Sequence, residues 1–325
     1  MRFGRTGLVA DPTAGEPFGE PAGTPSEVRA DDGVPLYVEE TGDPTAALTV
    51  VFVHGYLLDR RCWHYQWRDL RDLGRLVCYD QRGHGRSGSG FRERATIEQL
   101  GRDLRTVLAA VAPTGDVVLV GHSMGGMAIL ALAEQCPEIF GGRVCAVALL
   151  STSTGRLREV TLGLPALASR VLYGVLPTAL RVVEWRPGLV ERGRRIGPEA
   201  TFLLTRRYAF GSGGSPSLVA FVERMIAGVR VQVMTQFLSA LLEHDRAAAL
   251  APLAGVPTLV LVGSADRQTP VGHGREIVAA VPGTELAVVP GAGHVVMLER
   301  PDVVNRHLRA LVGRATRPAW QSREP

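Results

Sequence analysis

A serine set between two glycines, where an apolar strand must turn into a helix, constrains this chain more than any other feature. The run Asp116-Val117-Val118-Leu119-Val120 reads as a buried strand and stops at Gly121-His122-Ser123-Met124-Gly125. From Met124 to Gln135 apolar residues recur at helical spacing. Ser123 then occupies a sharp, strained corner, and Gly121 and Gly125 lack the side chains that would keep strand and helix apart. Its hydroxyl is pushed out at the carboxyl end of the strand, facing N–H groups at the helix start that favour developing negative charge. That is the geometry of an acyl-transfer nucleophile. The same string also arises in glycine-rich chains as a tight turn with an incidental serine, so its partners decide the reading.

The first partner is His294, in Pro290-Gly291-Ala292-Gly293-His294, after the strand-like run Glu285 to Val289. A serine hydroxyl is a poor nucleophile unless a base within hydrogen-bond reach takes its proton, and a loop histidine can be that base. The second is Asp266, in Gly263-Ser264-Ala265-Asp266, after the run Thr258 to Val262. A carboxylate there can accept the other ring N–H, fix the tautomer and stabilise the imidazolium. The loop after the sixth strand, Ser151-Thr152-Ser153-Thr154-Gly155, offers no carboxylate. Asp245 precedes its strand, which puts it at the wrong end of the sheet. His54-Gly55-Tyr56 closes the run Leu48 to Val53, so the N–H groups of Tyr56 and Met124 are placed to form an oxyanion hole.

With these motifs stand Trp63, Asp80-Gln81-Arg82-Gly83-His84-Gly85-Arg86-Ser87, the continuation to Gly126, and Glu299-Arg300-Pro301. In this order the chain resembles the α/β-hydrolase family, and within it the serine members with a helical cap, from about Val34 to about Val312. The resemblance implies Ser123 as nucleophile, Asp266 as acid, His294 as base, Tyr56 and Met124 as hole donors, and no cofactor. It implies cleavage of a small-molecule acyl ester through an acyl-enzyme. Cofactor-free haloperoxidases or perhydrolases, thioesterases, C–C bond hydrolases and lyases share the triad and stay open. Serine rather than aspartate at the corner argues against the epoxide hydrolases and haloalkane dehalogenases of the family. A reading of another class, a non-catalytic ligand-binding protein on the same scaffold, also stays open because fold does not fix function.

Several sharper readings fail. Gly83 to Gly88 matches G-x-G-x-x-G, but the next helix starts only at the capping box Thr96-Ile97-Glu98-Gln99, so it is a loop buttressing the site. His54 is expected to order the oxyanion loop and His122 to pack or hydrogen-bond locally. His64, His84, His244, His273 and His307 show no metal-binding spacing. All 36 basic residues are arginine, which excludes a Schiff-base or Walker A lysine. A net charge of +4 with scattered arginines gives no nucleic-acid stripe. Cys62, Cys78, Cys136 and Cys145 lack C-x-x-C spacing and read as buried free thiols. With no signal-peptide apolar region, they suggest the cytoplasm.

Strand-like runs also occur at Glu27 to Ala30, Val34 to Glu39, Arg75 to Tyr79 and Val144 to Leu150. Helical periodicity fills Ile97 to Val111, Gly274 to Val281 and Asp302 to Val312. Such alternation predicts an α/β fold: a mostly parallel, doubly wound eight-stranded sheet with helices on both faces. Its first two strands are an edge hairpin. The expected core is 27–150 with 246–314. Residues 151–245, helical over Leu157 to Glu184 and Leu218 to Leu242, form an inserted cap. Its stripe Leu162, Leu164, Leu167, Val171, Leu172, Val175, Leu176 is read as packing the cap on the core, with an acyl-pocket lining as the alternative. A flexible arm (1–26) and tail (315–325) complete the expectation. No stretch is read as long and apolar enough to span a membrane, and a homodimer stays open.

Overall fold

The computed structural model describes residues 11–19, 23–185, 188 and 198–315. Eight strands pair into one sheet: β1 (Thr24–Arg29), β2 (Pro35–Thr41), β3 (Leu48–Val53), β4 (Arg75–Tyr79), β5 (Asp116–His122), β6 (Val144–Leu150), β7 (Thr258–Gly263) and β8 (Glu285–Val289). Their order is β1-β2-β4-β3-β5-β6-β7-β8. β1 and β2 form the antiparallel edge hairpin, β2 runs antiparallel to β4, and every other pairing is parallel.

The parallel strands carry Val and Leu on both faces because both faces are covered. Along β3, Val51 and Val53 join one apolar cluster, while Val50 and Phe52 join another. Helices α2 (Ile97–Val111) and α3 (Met124–Gln135) bury Leu100, Leu104 and Ile129 in the first. Helix α1 (His64–Asp69) and the C-terminal helix bury Trp67, Leu308 and Leu311 in the second. The chain steps from β3 to β4 on one side, then crosses back so that β5 lies on the other side of β3. At such a reversal the loops leaving two neighbouring strands diverge and open a crevice at their carboxyl ends.

Between β6 and β7 the chain leaves the sheet and builds α4 (Ala166–Trp185), α5 (Pro198–Ala209), α6 (Pro216–Gly228) and α7 (Val231–Leu242). Then come α8 (Val271–Ala280), α9 (Val296–Glu299) and α10 (Pro301–Ala315). The inserted helices depart from the expected ones in three places, one of them α5, which lies outside both expected helical stretches. The first helix starts at Ala166, not Leu157, because Leu162 and Gly163 take positive φ and Pro165 follows. The expected helix over Leu218 to Leu242 is two helices bent by 98°. Val229 and Arg230 are extended there, directly after Gly228.

Residues 11–19, expected as part of a flexible arm, are held in place. Asp11 accepts from the N–H and hydroxyl of Ser217 at the start of α6, and Phe18 stacks on Phe221 with ring centroids 4.8 Å apart. β1 begins at Thr24, also inside the expected arm. The rest of the expected arm, 1–10 and 20–22, and the tail beyond Ala315 lie outside the described residues. A further correction concerns α4. By length and composition Ala166–Val183 is apolar enough to cross a membrane, against the expectation that no stretch is. Its Leu172, Tyr173 and Leu176 instead face a cavity over the sheet. Leu167, Val171 and Val175 point away and are more than half exposed. The apolar stripe read as one face therefore serves two.

Candidate active site

Ser123 sits between β5 and α3 with φ 51° and ψ −118°, a conformation that costs a non-glycine residue about 1–3 kcal/mol. The surroundings over-determine it. The Ser123 N–H donates to the Leu150 carbonyl at 2.9 Å, and the Thr152 hydroxyl donates to the Ser123 carbonyl at 2.7 Å. A Cβ at Gly121 would lie 2.7 Å from the Gly126 nitrogen, and one at Gly125 would collide with the Val53 carbonyl oxygen. Both glycines are therefore needed for strand and helix to close around the serine.

His294 reaches this serine from the loop after β8. Its Nε2 lies 3.0 Å from Ser123 Oγ, so the serine hydroxyl donates to it. Its Nδ1–H donates to Asp266 Oδ2 at 2.9 Å. Asp266 is buried, which opposes its charge. His294 beside it and the N–H groups of Thr269 (3.0 Å) and Gln268 (2.8 Å) outweigh that opposition and hold the carboxyl below its usual range. The Thr269 hydroxyl donates to Oδ2 as well, at 2.9 Å. Asp245 lies elsewhere: its backbone bridges Gly155 where the inserted helices return to the sheet.

Two further residues hold the histidine loop. Glu299 is buried and accepts the N–H groups of Gly293 (2.7 Å), Gly211 (3.0 Å) and Gly213 (2.6 Å). One carboxylate thus ties the His294 loop to the turn between α5 and α6. His122 donates Nε2–H to the His294 carbonyl at 2.9 Å, with its ring 4.9 Å from the His294 ring. Burial, and then its neighbour His294, push the His122 pKa down to about 3, so it stays neutral there.

The loop after β3 passes beside the serine: a Cβ at Gly55 would lie 3.1 Å from Ser123 Cβ. Two buried imidazoles fix it. His54 accepts the Gln81 N–H at 2.9 Å and donates to the Gly55 carbonyl at 2.8 Å. His84 accepts the Leu57 N–H at 3.2 Å and donates to the Arg82 carbonyl at 3.0 Å. Burial lowers their pKa values to about 4 and about 3, which preserves the acceptor nitrogens. The loop carrying His84 is anchored by buried charges. Asp80 accepts the N–H groups of Arg60 and Arg86, each at 2.8 Å, and Arg82 pairs with Asp103 and Asp32. The G-x-G-x-x-G string is thus a buttress. Met124 is the first residue of α3, so its N–H has no partner within the helix. Tyr56 follows Gly55 in the loop beside Ser123 and lines the same cavity as the serine.

Ser123 and His294 open into that cavity of about 330 Å³, lined by Leu57, Met127, Leu172, Leu176, Ile226 and Leu241 among others. The Tyr56 hydroxyl donates to the Met234 carbonyl of α7 at 2.6 Å, joining the β3 loop to the inserted helices over the cavity. A buried imidazole, a hydroxyl hydrogen-bonded to it and a helix N-terminus beside an apolar cavity are an arrangement that can attack a carbonyl carrying an apolar group.

Known proteins are similar to this chain over most of its length. A sequence profile described as the alpha/beta hydrolase family matches residues 50–307. A monoacylglycerol lipase of Mycolicibacterium smegmatis is 29% identical over 270 residues, 81% of this chain and 87% of that protein. A non-heme haloperoxidase of Rhodococcus erythropolis is 25% identical over 88% of this chain and 98% of that protein. A solved thermophilic esterase from Thermogutta terrifontis is similar with a TM-score of 0.71 and 25% identity, covering 90% of this chain and 100% of that one. The profile runs from within β3 into α10 and takes in the serine corner, both loops that face it and the whole helical insertion, so this chain belongs to the alpha/beta hydrolase family.

Proposed function

We propose that this chain is a serine hydrolase that cleaves carboxylic esters through an acyl-enzyme. The observation that supports it most is the hydrogen-bond path from Asp266 through His294 to Ser123, ending under an apolar cavity. Ser123 Oγ attacks the ester carbonyl while His294 Nε2 takes its proton. The N–H groups of Tyr56 and Met124 receive the oxyanion. His294 returns the proton to the leaving alcohol, then deprotonates a water that attacks the acyl carbonyl, and the acid departs with Ser123 restored. Asp266 holds the imidazole in the tautomer that can accept from serine.

Residues 151–245 act as the cap, and their apolar lining selects an apolar acyl group. The monoacylglycerol lipase relative supports that choice. A fluorophosphonate probe is expected to label the wild type and spare Ser123→Ala, and short p-nitrophenyl esters are expected to turn over. Equal labelling of both proteins, or ligand binding without turnover of any ester, would refute the reading.

The haloperoxidase relative favours a second reading, in which hydrogen peroxide replaces water at the acyl-enzyme and releases a peracid. Acid and peracid yields measured with and without peroxide separate the two.

A further inference from the structure

Helix α4 presents two apolar faces. Leu172, Tyr173 and Leu176 line the cavity. Leu167, Val171, Val175, Val182 and Trp185 are exposed by 55–76%. At about 100° per residue those five fall within an arc of roughly 80°, opposite the cavity-facing set. A continuous exposed stripe of this kind on a surface that faces water marks an interaction site.

Charge says what the stripe meets. Residues 166–209 carry eight arginines against three glutamates, while the rest of the chain holds 28 arginines against 29 acidic residues. The positive excess of the sequence thus falls within this one stretch, of which Arg170 and Arg181 are the arginines placed on α4. By the same helical spacing Arg170 and Arg181 flank the stripe on one side. An apolar stripe flanked by arginine is the pattern of a helix lying in a membrane interface, with its apolar side chains among the acyl chains and its cations at anionic headgroups. A second copy fits less well, because a two-fold contact through this face would bring like charges together. A span fits less well too, since the opposite face of the helix closes the cavity.

We propose that the outer face of α4 docks this chain on an anionic phospholipid bilayer, lying in the interface plane. The docking needs no turnover, so it stands or falls apart from the ester-cleavage reading. The test is flotation of the full chain with vesicles of phosphatidylcholine and phosphatidylglycerol in equal amounts, against phosphatidylcholine alone. The wild type is expected to float with the mixed vesicles, more weakly with the neutral ones, and to be released by salt. Tryptophan emission in a Trp320→Phe background, where Trp63 and Trp67 are already buried, is expected to shift to the blue on binding as Trp185 leaves water.

The triple variant Leu167→Ser, Val171→Ser, Val175→Ser removes exposed side chains only, and its thermal midpoint reports that it is folded. It is expected to bind about tenfold more weakly or worse. Arg170→Gln with Arg181→Gln is expected to lose the preference for anionic vesicles while keeping the weak neutral binding. Three results each overturn the proposal: no flotation of the wild type, equal flotation of the folded triple variant, or a lipid-free dimer that the triple variant abolishes.

Discussion

Lowering the pH from about 7 to about 5 is expected to remove much of this fold's stability through its buried histidines. His54, His84, His122 and His244 are buried, and burial holds their pKa values near 4, 3, 3 and 4. The unfolded chain takes up those four protons near pH 6.5, whereas the folded chain refuses them until far lower. Stability is therefore full above about pH 6.5 and is lost as pH falls below it, since the unfolded state binds more protons. Asp80 works in the opposite sense, because burial and the nearby Asp59 raise its pKa to about 6, and Asp103 is raised as well. Burial lowers the His273 pKa in the same sense as the four, and at about 1.4 kcal/mol per unit of differential protonation the balance at pH 5 is a loss of several kcal/mol. A domain has about 5–15 kcal/mol to lose. The assay is the urea midpoint, followed by tryptophan fluorescence, across that range. His244→Gln removes one of the four protons away from Ser123 and should shrink the acid loss by about 2 kcal/mol. Equal midpoints at both pH values would refute the reasoning, and so would a His244→Gln profile parallel to the wild type.

Asp266→Asn is expected to cost up to about 10⁴-fold in kcat with binding little changed, whereas Asp245→Asn stays near wild type; the reverse order would reassign the acid. His84→Phe leaves the Leu57 N–H without its acceptor and loosens the loop bearing the Tyr56 N–H. It is expected to lower kcat by about 10²-fold while KM moves little, and an unchanged kcat would separate that loop from catalysis. Leu172→Trp fills part of the cavity. Across a p-nitrophenyl ester series it should shift preference toward shorter acyl groups, and a profile identical to the wild type would leave Leu172 without a role in selection.

The parts legible in the sequence are those set by local rules. Strands β3, β4, β6 and β8 and helices α2 and α3 run where their periodicity predicts, because a strand buried on both faces is a bounded apolar run and α2 opens on the Thr96 cap. Ser123, Asp266 and His294 meet within hydrogen-bond distance because each closely follows a parallel strand, and parallel strands deliver their ends to one edge. What stays hidden depends on contacts between distant segments. Glu299 touches Gly211, Gly213 and Gly293, and no periodicity links those positions. His84 reads as one residue of a buttressing loop, and its bond to Leu57 is not legible because the two lie far apart in the chain. Thr269 has a faint local signal: an Asp followed three residues on by Thr invites a turn closed on the carboxylate. Apolar spacing merges the two faces of α4 into one stripe, because it does not say which side meets the core.

The acid sensitivity and the site geometry have one physical origin. A protonated imidazole has no acceptor nitrogen. If His54 and His84 titrated at their ordinary pKa, the N–H groups of Gln81 and Leu57 would lose their acceptors in mildly acid solution, and the loop beside Ser123 would be released. Burying both rings lowers their pKa values and so preserves those acceptor nitrogens in mildly acid solution. His294 differs in its partner: it donates Nδ1–H to the Asp266 carboxylate. Among the described residues only His294 of these four rings is hydrogen-bonded to a carboxylate, while His54, His84 and His122 donate to backbone carbonyls, a separation that suits the base role proposed for His294. Adding acidic residues beside His54 or His84 would blur that separation.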